Sequence, residues 1–400
     1  MDSRSSKIFF FSEFFYPEDN STAQYITEIA RVASSVFCDA TEVFCVAKNK
    51  SSNYIDKIKV HGIPAKSFNK NRLSSRILGF LCITGSFFFQ AVRKVRRRDV
   101  VFCVTNPAFS ILMLSVIKKI IKFHFCILCY DVFPENLIAA GVCRHQSLSY
   151  RLLKRLFDFS YKQAELVIVP GRDMKEKLIA KGVASGKIII IPNWADSKKI
   201  HAVSAHRHVA PQKTFLFAGN IGRTQGIKNL IDAIAEANIS NCSFVFAGDG
   251  AMRPLVTEAV EAIPEKHISY IGQVDSQQMN TVLSQADIAI ITLCDKMKGI
   301  GVPSKSYFYM AAGLPLLYIG DQESEIALVI KQHDLGFVVP PGDPSKLSHM
   351  LEEIIKTSSS ELTMMGCRAR TVLCAHYDKE QALCQYKNVF KKLLEETRNL

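Results

Sequence analysis

The stretch Thr214-Phe-Leu-Phe-Ala-Gly219-Asn-Ile-Gly222-Arg-Thr-Gln-Gly226 decides the fold. An apolar run ends on glycine, and two more glycines follow before a helical pattern opens at about Ile227. A run that is apolar on both faces suits a parallel strand covered on each side by helices. The loop beyond it offers free backbone N–H groups and the positive end of a helix, which together make an anion site. It is no dinucleotide fingerprint, because the glycine spacing is wrong and no acidic residue ends the next strand. A tight strand-to-helix turn with no ligand remains the alternative on these residues alone.

Outward from this loop the same alternation recurs. Further apolar runs at 243–248, 268–272, 287–292, 316–320 and 336–339 follow it, each separated by a helical pattern. Six more precede it, at 7–13, 41–46, 99–104, 124–130, 166–170 and 187–192. The pattern predicts two doubly wound α/β domains in tandem. The boundary falls after Pro192-Asn193-Trp194, giving domains over 1–195 and 196–375. Residues 361–396 read as terminal helices broken near His376-Tyr377-Asp378, with 376–400 as a last helix.

Ligands of open parallel sheets sit beyond the carboxyl ends of the strands. In the second half four runs finish on Gly219, Gly248, Gly272 and Gly320, which permit close backbone approach. The matching ends in the first half carry Glu13, Asn106, Asp131 and Glu135. One domain thus reads as shaped for a nucleotide, the other as offering polar chemistry across a cleft.

Gly299-Ile-Gly-Val-Pro-Ser-Lys305 opens another helix, with Ser304 as its N-cap and Gly313 as the glycine that ends it. Lys305 in the first turn opposes the helix dipole, and a bound diphosphate would reverse that sign. The alternative is an exposed, slightly unfavourable lysine. Gly182 to Lys187 imitates a P-loop but is one residue short and precedes a strand, so it is discarded. There is no Asp-x-Asp pair, so no metal-bridged diphosphate is expected.

Composition narrows the class. The chain has 400 residues, 48% of them hydrophobic and 22% charged, which is ample for two cores. The amino terminus does not read as a signal peptide, so a cytoplasmic, reducing compartment is expected for the 12 cysteines. Cys126 and Cys129 form a single CxxC inside an apolar run and read as core. His201, His206 and His208 read as linker residues, not as metal ligands.

Charge is lopsided: 31 basic against 16 acidic residues over 1–200, and 19 against 21 thereafter. The run Arg93-Lys94-Val-Arg96-Arg97-Arg98 follows the uncharged stretch 77–92, which is shorter than the ~20 residues of a spanning helix. Together they read as a membrane-surface patch. A buried helix ending in a solvated cationic turn is the alternative. Nucleic acid is disfavoured, because aromatics do not interleave the basic run.

Taken together these residues resemble glycosyltransferase family 4, retaining enzymes of the GT-B fold, over nearly the whole chain. The branch acting in bacterial O-antigen and colanic-acid-type polysaccharide assembly is the one suggested. The likeness is carried by Phe15-Tyr-Pro-Glu-Asp19, Tyr130-Asp-Val-Phe-Pro-Glu135 and Ile191-Pro-Asn-Trp194. The 219–226 loop, Gly248-Asp-Gly250 and Val302-Pro-Ser-Lys305…Ala311-Ala-Gly-Leu-Pro315 extend it.

The resemblance implies a nucleotide-sugar held by the second domain and an acceptor held by the first, which faces the membrane. Gly219, Asn220, Gly222 and Gln225, with Val302, Pro303 and Ser304, would hold the diphosphate, and Gly248 is a further donor-binding residue. Gly272, Gln273 and Val274 would meet the base. Arg223 and Lys305 would stabilise the leaving group in a front-face transfer, while Asp131 or Glu18 orients the acceptor hydroxyl or the donor sugar. No cofactor or metal is expected, and the acceptor would be a saccharide on undecaprenyl diphosphate at the inner face of the plasma membrane. The chain departs from the family at Asn220 and Gln225, where relatives carry Arg and Lys, and at Ile300 and Phe308, where they carry glutamates. Asn20-Ser-Thr-Ala23 replaces a glycine-rich turn, and Tyr130 a histidine. A sugar-nucleotide 2-epimerase, a phosphorylase or a non-catalytic partner subunit stays open beside the transferase.

Overall fold

A computed structural model describes residues 6–38, 40–47, 51–64, 73–203, 212–275 and 277–398. His206 and His208 lie outside these described residues. The chain forms two compact units, one of residues 1–138, 143–192 and 382–400, the other of 139–142 and 193–381.

The first unit is built on an eight-stranded sheet of β1 (Ile8–Phe11), β2 (Thr41–Ala47), β3 (Ser51–Ile55), β4 (Ile58–Pro64), β5 (Val100–Val104), β6 (His124–Leu128), β7 (Leu166–Val169) and β8 (Ile188–Ile190). Their order is β3-β4-β2-β1-β5-β6-β7-β8, and all pairs are parallel except β3 with β4. The β3–β4 hairpin was not expected. Its half-polar alternation gives a weak strand signal, and its turn is Asp56-Lys57, both at positive φ (50° and 60°). That is the type I′ geometry matched to strand twist, written here without glycine.

The helices of this unit are α1 (Ser21–Phe37), α2 (Leu73–Lys94), α3 (Phe109–Ile121), α4 (Glu135–Ala139), α5 (Leu148–Gln163) and α6 (Arg172–Ala180). Asn20 caps α1 by accepting from Ala23 N at 2.9 Å, so the polar tetrapeptide after β1 is a helix start. β1 and β5 are buried throughout, and Phe10 packs on Phe102 at 4.8 Å between ring centroids. Cys126 and Cys129 are fully buried, and burial pushes both thiols up, as core residues require.

The second unit carries β9 (Lys213–Ala218), β10 (Cys242–Ala247), β11 (Ile268–Gly272), β12 (Ile288–Thr292), β13 (Leu316–Ile319) and β14 (Gly336–Val339). All are parallel, in the order β11-β10-β9-β12-β13-β14. Its helices are α7 (Ile227–Glu236), α8 (Arg253–Ala262), α9 (Met279–Ser284), α10 (Lys305–Ala312), α11 (Glu325–His333), α12 (Pro344–Lys356) and α13 (Ser359–Val372). A π-turn at Leu373–Tyr377 separates α13 from α14 (Lys379–Arg398), whose Phe390 ring lies 6.2 Å from Phe10 in the first unit's core. Among the described residues no helix is long and apolar enough to cross a membrane.

Chain order reverses between β9 and β12 in the second sheet, and between β1 and β5 in the first. Such switch points splay successive loops apart and leave a crevice at the carboxyl edge. The 219–226 loop leaves the sheet at one of them.

Candidate functional site

β9 brings Phe217 and Ala218 to the edge, and Gly219 turns away at φ +135°. Residues 223–225 make one 3₁₀ turn, and Gly226 at φ +61° starts α7. The loop is fixed from both sides: Ile221 N donates to Asp249 O at 2.9 Å, and Cys294 N to Thr224 O at 2.9 Å. Gly248 explains itself differently from the expectation that strand-end glycines make room for a ligand. A Cβ there would lie 1.9 Å from the Gly219 carbonyl oxygen, so Gly248 makes room for the neighbouring loop.

α10 delivers Lys305 to this loop. Tyr309, one turn on, takes a hydrogen bond from Ala218 N (2.7 Å) and donates to Ala218 O (3.1 Å), clamping the helix to the end of β9. Lys305 Nζ then donates to Gln225 Oε1 at 2.9 Å and stands 3.7 Å from the Phe217 ring centroid. Its Cε would touch a Cβ on Gly219 at 3.4 Å. No carboxylate among the described residues pairs with it, and burial pushes its pKa down to about 7. Ser304 occupies the N-cap position in a helical conformation and its side chain makes no capping bond, so the first turn of α10 is not closed by that hydroxyl. Gly313 ends the helix at φ +72°, as expected.

Of the residues singled out in the sequence, Gly219, Asn220, Gly222, Gln225, Gly248 and Lys305 converge here. The Asn220 side chain folds over Gly222, with Nδ2 2.7 Å from where a Cβ would stand. Arg223 is exposed on the 3₁₀ turn. Val302 is buried and, with Pro303, leads the chain into α10. Gly272 ends β11, one strand beyond β10, with Gln273 and Val274 following, and Gly272 O accepts from Gly248 N at 2.6 Å. Ile300 is buried in the apolar interior. Tyr309 was not singled out, because an aromatic four residues after Lys305 reads as ordinary core.

In the first unit, Asp131 and Glu18 sit on loops of one sheet edge, after β6 and β1, with β5 between. Thr105 Oγ1 accepts from Tyr130 N (3.1 Å) and Asp131 N (3.2 Å), fixing the turn. The Asp131 carboxylate accepts from Asn136 Nδ2 at 2.9 Å, and burial pushes its pKa up to about 6. Glu18 is exposed and accepts from Asn20 Nδ2 at 3.2 Å. Glu135 does not face the edge as offered by the sequence: it is buried, and both its oxygens take Lys181 Nζ at 2.7 Å.

Two parallel-sheet α/β units in tandem, with a glycine loop and a lysine-led helix at the switch point of the second, define the GT-B class. Solved structures agree on the fold: sucrose-phosphate synthase from Thermosynechococcus elongatus superimposes with a TM-score of 0.80 at 14% identity, covering 98% of this chain and 100% of that one. HepE from Anabaena, in complex with UDP, gives 0.65 at 15%, covering 98% and 99%. Residues 25–199 match the family described as Glycosyltransferase Family 4, and residues 212–357 match Glycosyl transferases group 1. "Probable glycosyltransferase WbjE" of Pseudomonas aeruginosa is 32% identical over 403 residues, covering 98% of this chain and all of that protein. The chain belongs to glycosyltransferase family 4.

Proposed function

We propose that this glycosyltransferase moves a hexosyl or N-acetylhexosaminyl group, with retention and without a metal, from a nucleotide-sugar to a saccharide on a lipid diphosphate. The work would be done at the cytoplasmic membrane surface during surface-polysaccharide assembly. One observation carries the reading: Lys305 stands over the 219–226 loop with an amide and an aromatic ring as its neighbours and no carboxylate. A half-buried cation in that setting is stabilised by an incoming anion, and loop N–H groups other than those of Gly219, Ile221 and Gln225, which are bonded within the protein, would add to it. The complex of HepE with UDP and the name of the WbjE relative support a nucleotide-linked donor and a glycosyl transfer.

Chemically, the bond from the sugar's anomeric carbon to the diphosphate oxygen breaks as negative charge collects on the diphosphate. Lys305 of α10, with Arg223 of the 219–226 loop, would hold that charge, and backbone N–H groups would fix its position. Asp131, its pKa raised to about 6 so that the carboxylate still predominates at neutral pH, would orient the acceptor hydroxyl or take its proton. Glu18 is the second carboxylate offered at that edge.

The test separates the alternatives. Purified protein is screened by thermal shift against nucleotide-sugars, and the stabilising donor is incubated with and without a saccharide-diphosphate-lipid. Binding plus acceptor-dependent product with the donor's anomeric configuration is the expected result. A new nucleotide-sugar without acceptor would make the chain an epimerase, and absence of any donor binding would make it a partner subunit.

A further inference from the structure

Three neighbouring helices of the first unit are apolar on both sides. α5 turns Tyr150, Phe157 and Tyr161 into the core, where Phe157 meets Phe133 at 5.7 Å. Its outward side carries a second stripe, Leu148, Leu152, Leu156 and Phe159, at the i, i+4, i+8, i+11 spacing of one helix face. α3 buries Ile111, Leu114 and Ile117 yet exposes Val116 and Ile120, the latter 80% exposed. α2 buries Ile83, Phe87 and Ala91 and exposes Phe88, Phe89 and Val92.

These outward faces adjoin. α2 packs on α3 and α3 on α5, and Lys119 Nζ of α3 lies 5.5 Å over the Phe159 ring of α5. Among the described residues, eleven of the sixteen large apolar side chains that are exposed lie on these three helices. That concentration makes one patch of them, not the scatter normal on a soluble surface.

Charge decides what covers the patch. The sole acidic residue on the three helices is Asp158, and it is held by Lys154 (2.5 Å) and Lys181 (2.6 Å). Exposed cations interleave the apolar stripes, Lys119, Arg151 and Arg155 among them, and Arg96, Arg97 and Arg98 follow α2. A second copy docked on the same face would set cation against cation, whereas protein interfaces deplete charge at their core. An anionic sheet with an apolar interior complements both features at once.

We propose that α2, α3 and α5 lie in the plane of an anionic phospholipid surface, with the leucine stripe of α5 inserted to acyl-chain depth. The inference deepens the membrane part of the proposed function and rests on it. It adds two elements, α3 and α5, that the basic run at 93–98 alone does not reveal.

Flotation with phosphatidylglycerol-containing vesicles at low salt tests it. The protein is expected to float, to remain free with pure phosphatidylcholine, and to be released by high salt. Leu152→Glu with Leu156→Glu is expected to weaken binding about tenfold or more, as is Phe89→Glu, since each puts a charge where apolar contact is needed. Met364→Glu, equally exposed on α13 of the other unit, should leave binding unchanged. Each variant is also checked for nucleotide-sugar thermal shift, which reports the transferase reading without vesicles. Failure of the wild type to float at low salt, or floating that the substitutions do not alter, would overturn the proposal. So would a solution dimer that the same substitutions dissociate, because then a second copy covers the face.

Discussion

Two lysines drawn out of water, Lys181 fully buried in the first unit and Lys305 half-buried in the second, are surrounded in opposite ways. Lys181, at the C-cap of α6 and 2% exposed at its side chain, is surrounded: both Glu135 oxygens at 2.7 Å and Asp158 Oδ1 at 2.6 Å. Lys305 has Gln225 Oε1 and the Phe217 ring. The first unit repeats the saturated arrangement at Glu42, which takes Lys7 and Lys94 at 2.9 Å and His61 at 2.8 Å. Burial works against that carboxylate's charge, yet the three hydrogen bonds hold it far below the usual range. Saturated charges build the fold. A cation left with one amide and an aromatic ring is the arrangement on which the proposed donor site rests.

The largest effect expected from this contrast is on stability. Lys181→Met strands the buried Glu135 carboxylate, while Asp158 keeps Lys154, and breaking a buried pair from one side costs about 3–5 kcal/mol. The melting temperature should fall by several degrees while the nucleotide-sugar shift of the folded fraction stays that of the wild type. Loss of donor binding at temperatures where the variant is folded would break the comparison, since Lys181 would then serve the site.

Lys305→Met should behave the other way round. It relieves a desolvated cation, so the unliganded protein is expected to melt no lower than the wild type at pH 7, and turnover to fall by ~10²–10³. The pH dependence sharpens this. The free lysine has a pKa pushed down to about 7, and a bound diphosphate raises it. Donor affinity in the wild type should be flat below pH 7 and weaken by up to about tenfold per pH unit above it. Titration calorimetry from pH 6 to 9 measures this, and Lys305→Arg should be flat across the range because its guanidinium stays charged. An unchanged turnover in Lys305→Met removes the leaving-group role.

Much of the fold could be read from the chain because buried parallel strands are written as short Val, Ile and Phe runs between helices. All twelve expected strands occur. The β3–β4 hairpin escaped because its residues alternate with polar ones and its turn is Asp56-Lys57. The residues of the candidate site were legible where local rules apply, at the glycine loop and the start of α10. It was illegible where partners are remote: Glu42 finds His61, Lys7 and Lys94 at separations of 19, 35 and 52 residues. Glu135 was misjudged for the same reason, its cation lying 46 residues away. The outward leucines of α5 were invisible because an apolar period of 3.6 looks identical whichever way it points.

Asp131 is the mirror image of Lys305, and the smallest of the expected effects tests whether that likeness holds. Each is bonded to one side-chain amide and drawn by burial toward its neutral form, Asp131 to a pKa of about 6. A folded-state pKa raised above the unfolded value near ~3.9 means that stability falls as pH rises between the two, and stays lower above them. Asp131→Asn keeps an oxygen for Asn136 and removes the charge. At pH 7.5 it should therefore stabilise the protein by on the order of 2 kcal/mol, with no gain at pH 4. Transfer should fall in the same variant, because the group that would orient or deprotonate the acceptor is gone. A gain in melting temperature together with a loss of transfer is the pattern of a strained functional residue. If the variant melts below the wild type at pH 7.5, Asp131 belongs with Glu42 and Glu135 among the saturated charges, and the first unit has no counterpart to Lys305.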